Sequence, residues 1–397
     1  MLWLVALLNY MDRLLITTMR DPIMHSIPMS DAQFGLLTAV FLWVYAGFSP
    51  LGGFLADRFS RSKMIIASLL VWSLVTWLTG HARNFEELLI ARMLMGLSEA
   101  CYIPAALALI ADYHRGSTRS LATGLHMSGI YMGAALGGLG GVMAESLGWR
   151  SAFGVFGVVG IVYALVLLLG LRDAPSAERK DVSDASDRKK VSLPSIMHSL
   201  LSTPAFLVLL AINVLYGAAN WSIYGWLPTF LKDHFHLGLG AAGMSATGYA
   251  QAASFFGVLI GGAWADRWIR RNPNARALVP AIGFVFAAPF LFLSATTDAL
   301  PFAIAGLIVY GLARGFFDSN HMPVLRSCTN EKYSATGYGI LNLVSCAAGG
   351  GMIYAGGAMK DAGMSLGAVF QISSAAILII GLLLFFLRAR SVPPAHV

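Results

Sequence analysis

Charge is scarce in this chain. Only 12% of its 397 residues are Asp, Glu, Lys or Arg, against 57% that are hydrophobic. A single water-soluble shell cannot hide that much apolar surface, so most of the chain has lipid as its solvent and the protein is an integral membrane protein. Cysteine is scarcer still. Cys101, Cys328 and Cys346 lie in or beside apolar runs at no metal-ligand spacing, and their odd number argues against a disulfide framework, so they read as packing residues. There is no Walker-type phosphate loop, no Ser-His-Asp arrangement and no zinc spacing. An ATP-driven pump or another enzyme has nothing to work with here, and neither a cofactor nor a metal is expected. No cleavable signal peptide is expected, because the first apolar run continues through Met24 with an Asp-Arg pair inside it and no small-residue cleavage site. The net charge of +7 suggests nucleic acid only until the basic residues are placed. Most fall in short connections on one membrane face, which is topology, and no nucleic-acid partner is expected.

Apolar segments are what the chain does have. A helix needs roughly 20 residues to cross about 30 Å of hydrocarbon. Twelve segments qualify, near 2–24, 34–56, 64–81, 86–111, 119–144, 152–171, 203–231, 241–265, 277–296, 300–327, 334–357 and 366–389. The predicted fold is all-α and polytopic. Between the sixth and seventh segments, Arg172 to Ser199 mixes both signs of charge with Pro175 and Pro194 and reads as a linker. The expected organisation is a six-helix bundle over 1–171, a cytoplasmic linker over 172–199 and a second bundle over 200–397. If the connection at 57–63 is cytoplasmic, the opposite connections hold only Arg20, Arg83, Arg150, Lys232 and Lys360 of the 27 basic residues. Both termini are then cytoplasmic, as expected for a protein of the inner membrane.

The two bundles are copies. Gly53-Phe54-Leu55-Ala56-Asp57-Arg58, followed by Arg61 and Lys63, returns as Gly262-Ala263-Trp264-Ala265-Asp266-Arg267 with Arg270 and Arg271. Gly96, Glu99 and Pro104 match Gly315, Asp318 and Pro323 at one constant offset, and Ala122-Thr123-Gly124 matches Ala335-Thr336-Gly337. Gly140-Gly141 and Gly148 find counterparts in Gly356-Gly357 and Gly363. Six helices have been duplicated in the same orientation. The glycine runs at 133–141 and 349–357 lie inside spanning segments, without the strand before or the Lys-Ser/Thr after that a nucleotide loop needs, so they predict close helix packing.

Twelve helices, a G-x-L-A-D-R-x-x-R-x-K loop after the second, a weaker copy after the eighth and a long central connection resemble the major facilitator superfamily over essentially the whole chain. Asn9-Tyr10-Met11-Asp12-Arg13 and Ala91-Arg92-x-x-x-Gly96-x-x-Glu99-Ala100 resemble two of its groups. One is the anion:cation symporters that carry sugar acids, including hexuronates and galactonate. The other is the Spinster transporters of lysolipids and sphingosine phosphate. The resemblance implies that Gly53, Asp57, Arg58 and Arg61, with Asp266 and Arg267 in the second copy, form a conformational latch between halves that does not touch substrate.

Six charges lie where hydropathy forbids them. Asp12, Arg13, Arg92, Glu99, Arg314 and Asp318 fall deep inside predicted spans, where a lone charge costs roughly 2.5 to 3.5 kcal/mol. Three acids balance three bases. They could be ion pairs that only hold helices together, but buried pairs often stabilise no better than apolar packing, which favours function. Asp12 and Glu99 reach one depth from opposite faces, and Arg92 sits two turns outward from Glu99. The expected roles are proton coupling for Asp12, Glu99 and Asp318, and anion binding for Arg13, Arg92 and Arg314, whose guanidinium forks match a carboxylate or phosphate. Tyr10, Asn220, Trp221 and Tyr224 are expected to complete the substrate site, the last three beside a broken middle of the seventh span ahead of Gly225 and Pro228. His126 and His321 could relay protons or serve as hydrogen-bonded structural residues. The reading is a monomeric secondary transporter, in contact with membrane lipids, that moves a small anionic solute such as a sugar acid with protons. A lysolipid is the alternative substrate.

Overall fold

The computed structural model describes residues 1–114, 117–174, 193–329 and 333–387, without the side chains of 57, 117–121, 193–195 and 334–335. The first span is α1 (Leu2–Thr18) and α2 (Arg20–Ser26), bent by 61° at Met19. Then come α3 (Asp31–Arg58) and α4 (Arg61–Thr79). The fourth span is α5 (Phe85–Glu99) with α6 (Tyr102–Tyr113), and the fifth is α7 (Ser117–Leu136) with α8 (Leu139–Leu147). The first half ends with α9 (Trp149–Gly170). After the short α10 (Leu193–Leu201), the second half runs through α11 (Pro204–Phe235), α12 (Leu239–Trp268), α13 (Ala275–Thr296), α14 (Leu300–Cys328), α15 (Ser334–Asp361) and α16 (Leu366–Phe386).

Ten spans are long and apolar enough to cross a membrane, and the bent α1–α2 pair makes eleven. The twelfth expected span is α12, whose 30 residues are long enough but rich in Gly, Ala and Ser. Small residues lower its hydropathy and let it lie close to its neighbours. The predicted linker is shorter than expected at its far end, because α10 begins at Leu193; residues 175–192 lie outside the described residues.

The predicted break falls elsewhere. The seventh span is unbroken: α11 runs through Gly225 and Pro228 as one helix of 32 residues. A proline inside a helix removes one hydrogen bond without ending it when neighbouring helices hold both sides. The break occurs instead in the fourth span, directly after Glu99. Pro104 offers no N–H to the Ala100 carbonyl, and Gly52 of α3 packs so tightly on that carbonyl that any Cβ there would clash with it. Glu99 becomes the last residue of α5, where the helix is interrupted for two residues.

Each half packs internally, α1 on α7 and α4 on α9 in the first, α12 on α14 and α13 on α16 in the second. The halves meet through α3 against α15, α7 and α8 against α12, and α1 against α11. These contacts concentrate on the side away from the basic connections. A Cβ on Gly357 would run into the Asp31 backbone, one on Gly138 would come within 2.7 Å of Gly243, and one on Gly141 within 2.7 Å of the Leu239 carbonyl. The glycine runs are therefore helix crossings. On the same outer side the Asp361 carboxylate accepts hydrogen bonds from the backbone N–H groups of Asp31 and Ala32, both 2.8 Å. Arg20 pairs with Asp31 and, at 2.6 Å, with Asp21. Lys232 reaches Asp21 at 2.5 Å and Lys360 reaches Asp233 at 3.0 Å. The ion pairs and hydrogen bonds named here between the halves lie on this side or at mid-span.

Candidate functional site

Each half holds an Arg–carboxylate pair near the middle of its spans, and the two pairs are built differently. In the first half, Arg13 of α1 crosses to α5, its Nε donating to Glu99 Oε2 at 2.7 Å. Its chain neighbour Asp12 points the other way and accepts from the Thr76 hydroxyl of α4 at 3.2 Å. Adjacent residues on a helix lie about 100° apart, so one residue of α1 faces α5 and the next faces α4. The Arg13 guanidinium is roofed by aromatic rings, lying 4.6 Å from the Tyr10 centroid, 4.3 Å from Tyr45 and 5.2 Å from Phe41. Such contacts favour a desolvated cation. The pair is sealed, with Arg13 3% and Glu99 0% exposed.

Arg92 is also buried, yet it does not meet Glu99. Its Nε donates to the Leu37 carbonyl at 3.2 Å, and the guanidinium lies 4.6 Å from the same Phe41 ring that Arg13 touches. Phe41 contacts both cations. Nothing in the sequence marks Phe41 or Thr76 for these roles, because an apolar residue in a span is the default and a single Thr carries no signal.

In the second half the pair stays on one helix. Arg314 and Asp318 of α14 are a turn apart, with Nε 3.5 Å from Oδ2. Arg314 Nη1 also donates to Gln251 Oε1 at 3.1 Å and lies 3.4 Å from the Ser254 hydroxyl. Asp318 accepts from two tyrosines, Tyr216 at 2.8 Å and Tyr131 at 3.1 Å. Tyr131 belongs to α7, so this bond bridges the halves. Tyr224 lies 5.0 Å under the Arg314 guanidinium and accepts from Gln251 at 2.5 Å, while Asn220 accepts from Tyr310 at 3.2 Å. Arg314, Tyr224, Asn220 and Tyr310 line a narrow cleft together with Thr247. Trp221 does not line it and packs on Gly349 and Tyr224. Asp318 is 25% exposed, unlike Glu99. Of the expected site residues, the structure thus brings Arg314, Asn220 and Tyr224 together at a narrow cleft with Asp318 paired to Arg314 beside it, gathers Asp12, Arg13, Glu99 and Tyr10 under an aromatic cover, and sets Arg92 apart.

The latch residues lie on the basic face. Arg61 pairs with Asp112 and donates to the Ala108 carbonyl of α6 at 3.1 Å, Arg58 stacks on Phe54 at 4.2 Å, and Gly53 faces Pro104. Asp266 meets Arg276 at 3.3 Å and Arg267 is exposed. The Asp57 side chain lies outside the described residues. All the contacts seen here stay within one half.

Comparison with known proteins agrees with this architecture. The chain is 30% identical over 312 residues to protein spinster homolog 1 of Xenopus laevis, covering 74% of this chain and 58% of that protein's length. It is 26% identical over 351 residues to the "Probable sulfoacetate transporter SauU" of Cupriavidus necator, covering 85% and 81%. A solved bacterial homolog of the human lysosomal transporter Spinster, in an inward-facing and occupied conformation, superposes with a TM-score of 0.82 at 22% identity over 97% of this chain and 95% of that one. Residues 2–354 match the profile of the Major Facilitator Superfamily. With two six-helix halves, a duplicated basic loop and paired charges at mid-span, the chain belongs to the Major Facilitator Superfamily of membrane transporters.

Proposed function

We propose that the protein moves a small organic anion, a sugar acid or similar carboxylate, together with protons by alternating access. The supporting observation is the contrast between the two Arg–carboxylate pairs, one sealed and one partly exposed. Arg314 is the cation an incoming anion reaches first. Gln251, Tyr224 and Asn220 around it offer polar groups to a hydroxylated substrate, and a carboxylate would compete with Asp318 for the guanidinium.

Arg13 supplies the coupling. While Glu99 is ionised it holds Arg13 at 2.7 Å, and the guanidinium is unavailable to substrate. A proton on Glu99 removes that attraction. Arg13 is then released toward Tyr10 and Tyr45, and an anion held between Arg314 of one half and Arg13 of the other draws the halves together. Glu99→Gln imitates the protonated state. In proteoliposomes it is expected to keep substrate exchange and to lose accumulation driven by a pH gradient, with Asp12→Asn milder. Uphill uptake at the wild-type rate by Glu99→Gln would remove Glu99 from the mechanism.

A second reading, a lysolipid substrate, is favoured by the seam between α3 and α15. Below the hydrogen bond from Trp43 Nε1 to the Ala347 carbonyl at 3.1 Å, Phe48, Leu51 and Phe54 on α3 and Tyr338 and Leu343 on α15 are exposed. An acyl chain entering from the bilayer would meet this apolar wall. Competition of uptake by hexuronates, aldonates and lysophosphatidylcholine separates the two readings.

A further inference from the structure

Glu99 presents a problem of access. It is 0% exposed, and Arg13 with the rings of Tyr10, Tyr45 and Phe41 stands between it and the space separating the halves. A proton cannot reach it from that side without first moving Arg13. On its other side, inside the first bundle, lies a series of buried polar groups whose hydrogen bonding is incomplete, although Asn9 approaches Glu99 and His126 approaches the Leu2 backbone. These are Glu99 Oε1 itself, both side-chain polar atoms of Asn9, Trp72 Nε1 and both ring nitrogens of His126. Buried polar groups of a native protein are almost always paired, with ordered water where no protein partner is in reach.

These groups form a sequence through the bundle. Asn9 lies beside the Glu99 carboxylate and one turn of α1 from Arg13. Leu2 lies two turns further on the same face of α1, about 10 Å nearer the basic face. The space between is spanned by Tyr102 of α6, three residues past Glu99, whose hydroxyl donates to the Leu2 carbonyl at 3.1 Å. The Tyr102 ring has Trp72 of α4 on one side, at 5.5 Å between centroids, and His126 of α7 on the other, at 5.9 Å. His126 is 2% exposed and faces the Leu2 backbone, whereas its neighbours Leu125 and Met127 are exposed. It lies on the line between Glu99 and the basic face.

We propose that Asn9, Trp72, Tyr102 and His126 frame a hydrated proton route between Glu99 and the basic face, separate from the substrate cavity. The proposal rests on the proton-coupling reading of Glu99. His126 accepts a proton on one ring nitrogen from the basic-face side and gives one up from the other toward water at Trp72 and Asn9. Water held by Asn9 delivers the proton to the Glu99 carboxylate, and the histidine ends neutral, as it began. The net change is one proton added to Glu99. Because the route avoids the cavity, Glu99 can be protonated while Arg13 and its aromatic cover stay in place. Tyr102 already donates to Leu2, so it walls the route and does not carry protons.

The test uses the purified full chain in lipid nanodiscs, with no substrate present. A light-triggered acid jump is followed by time-resolved infrared spectroscopy of the protonated carboxyl stretch, assigned to Glu99 by its loss in Glu99→Gln. In His126→Ala the band should grow about 100-fold more slowly than in wild type, the scale of a lost proton-transfer group. Its final amplitude should not change, and added imidazole should restore the rate. His126→Gln, of similar size, gives the same readout without imidazole rescue if the alanine variant does not fold. Unchanged kinetics in these variants would overturn the route, as would loss of amplitude without slowing, which marks a residue that only tunes Glu99. No Glu99 band in the wild type at any pH would instead overturn the coupling reading, and the route with it.

Discussion

The outer clasp offers the most direct test of how this protein chooses between conformations. Asp361, at the end of α15, places one carboxylate oxygen on the N–H of Asp31 and the other on that of Ala32, both 2.8 Å. It thereby caps the N-terminus of α3 from the opposite half. Both donors belong to the first turn of a helix, where they have no partner of their own and where the helix dipole favours a negative charge. Asp361→Asn removes the charge and one of the two acceptors. A charge at a helix N-terminus contributes typically 0.3 to 1 kcal/mol and a hydrogen bond about 1 kcal/mol net. Because Asp361 is exposed and solvent screens it, the low end applies, about 1 kcal/mol in all. That is roughly a fivefold change in the ratio of the two conformers. The direction is toward opening of the outer face. Spin labels at Glu86 and Asp298, exposed outer-face positions of the two halves, would report it as growth of a longer-distance population by pulsed electron resonance. Asp361→Glu should retain most of the clasp. If Asp361→Asn leaves the distance distribution unchanged, the contact is incidental and the glycine crossings alone keep the outer face closed.

The crossings predict a shift of the same sign. Gly138→Ala places a methyl 2.7 Å from the Gly243 backbone, an overlap worth about 1 to 3 kcal/mol, so labels on the outer face should again separate. Asp57→Asn should impair transport while leaving substrate affinity in detergent within a few fold, since a latch residue sets a conformational equilibrium; loss of binding by a well-folded variant would refute that role. Asp318→Leu leaves Arg314 with only Gln251 and Ser254 and frees the hydroxyls of Tyr131 and Tyr216, so thermal stability should fall further than in Arg314→Leu combined with Asp318→Leu. A double variant that is stable but inactive assigns the pair to transport; an active one assigns it to structure alone.

The spans, the duplication and the forbidden charges were legible in the sequence, because lipid imposes a length and a polarity on every spanning helix and a violation stands out. An expected depth was legible too, since rise per residue is fixed. Partnership was not. Arg13 takes Glu99 from another helix and ignores Asp12 beside it, Arg92 finds a carbonyl and a ring instead of a carboxylate, and Arg314 keeps the acid on its own helix. Those choices depend on how far each helix is rotated and how closely it approaches its neighbour, which glycine contacts such as Gly52 on Ala100 decide. The same holds for helix breaks. Pro228 and Pro104 look alike in a sequence, yet α11 continues through the first while the fourth span is interrupted just ahead of the second. Which face is closed is also a property of the assembled halves, because the Asp361 clasp joins residues at opposite ends of the chain that have no local pattern in common.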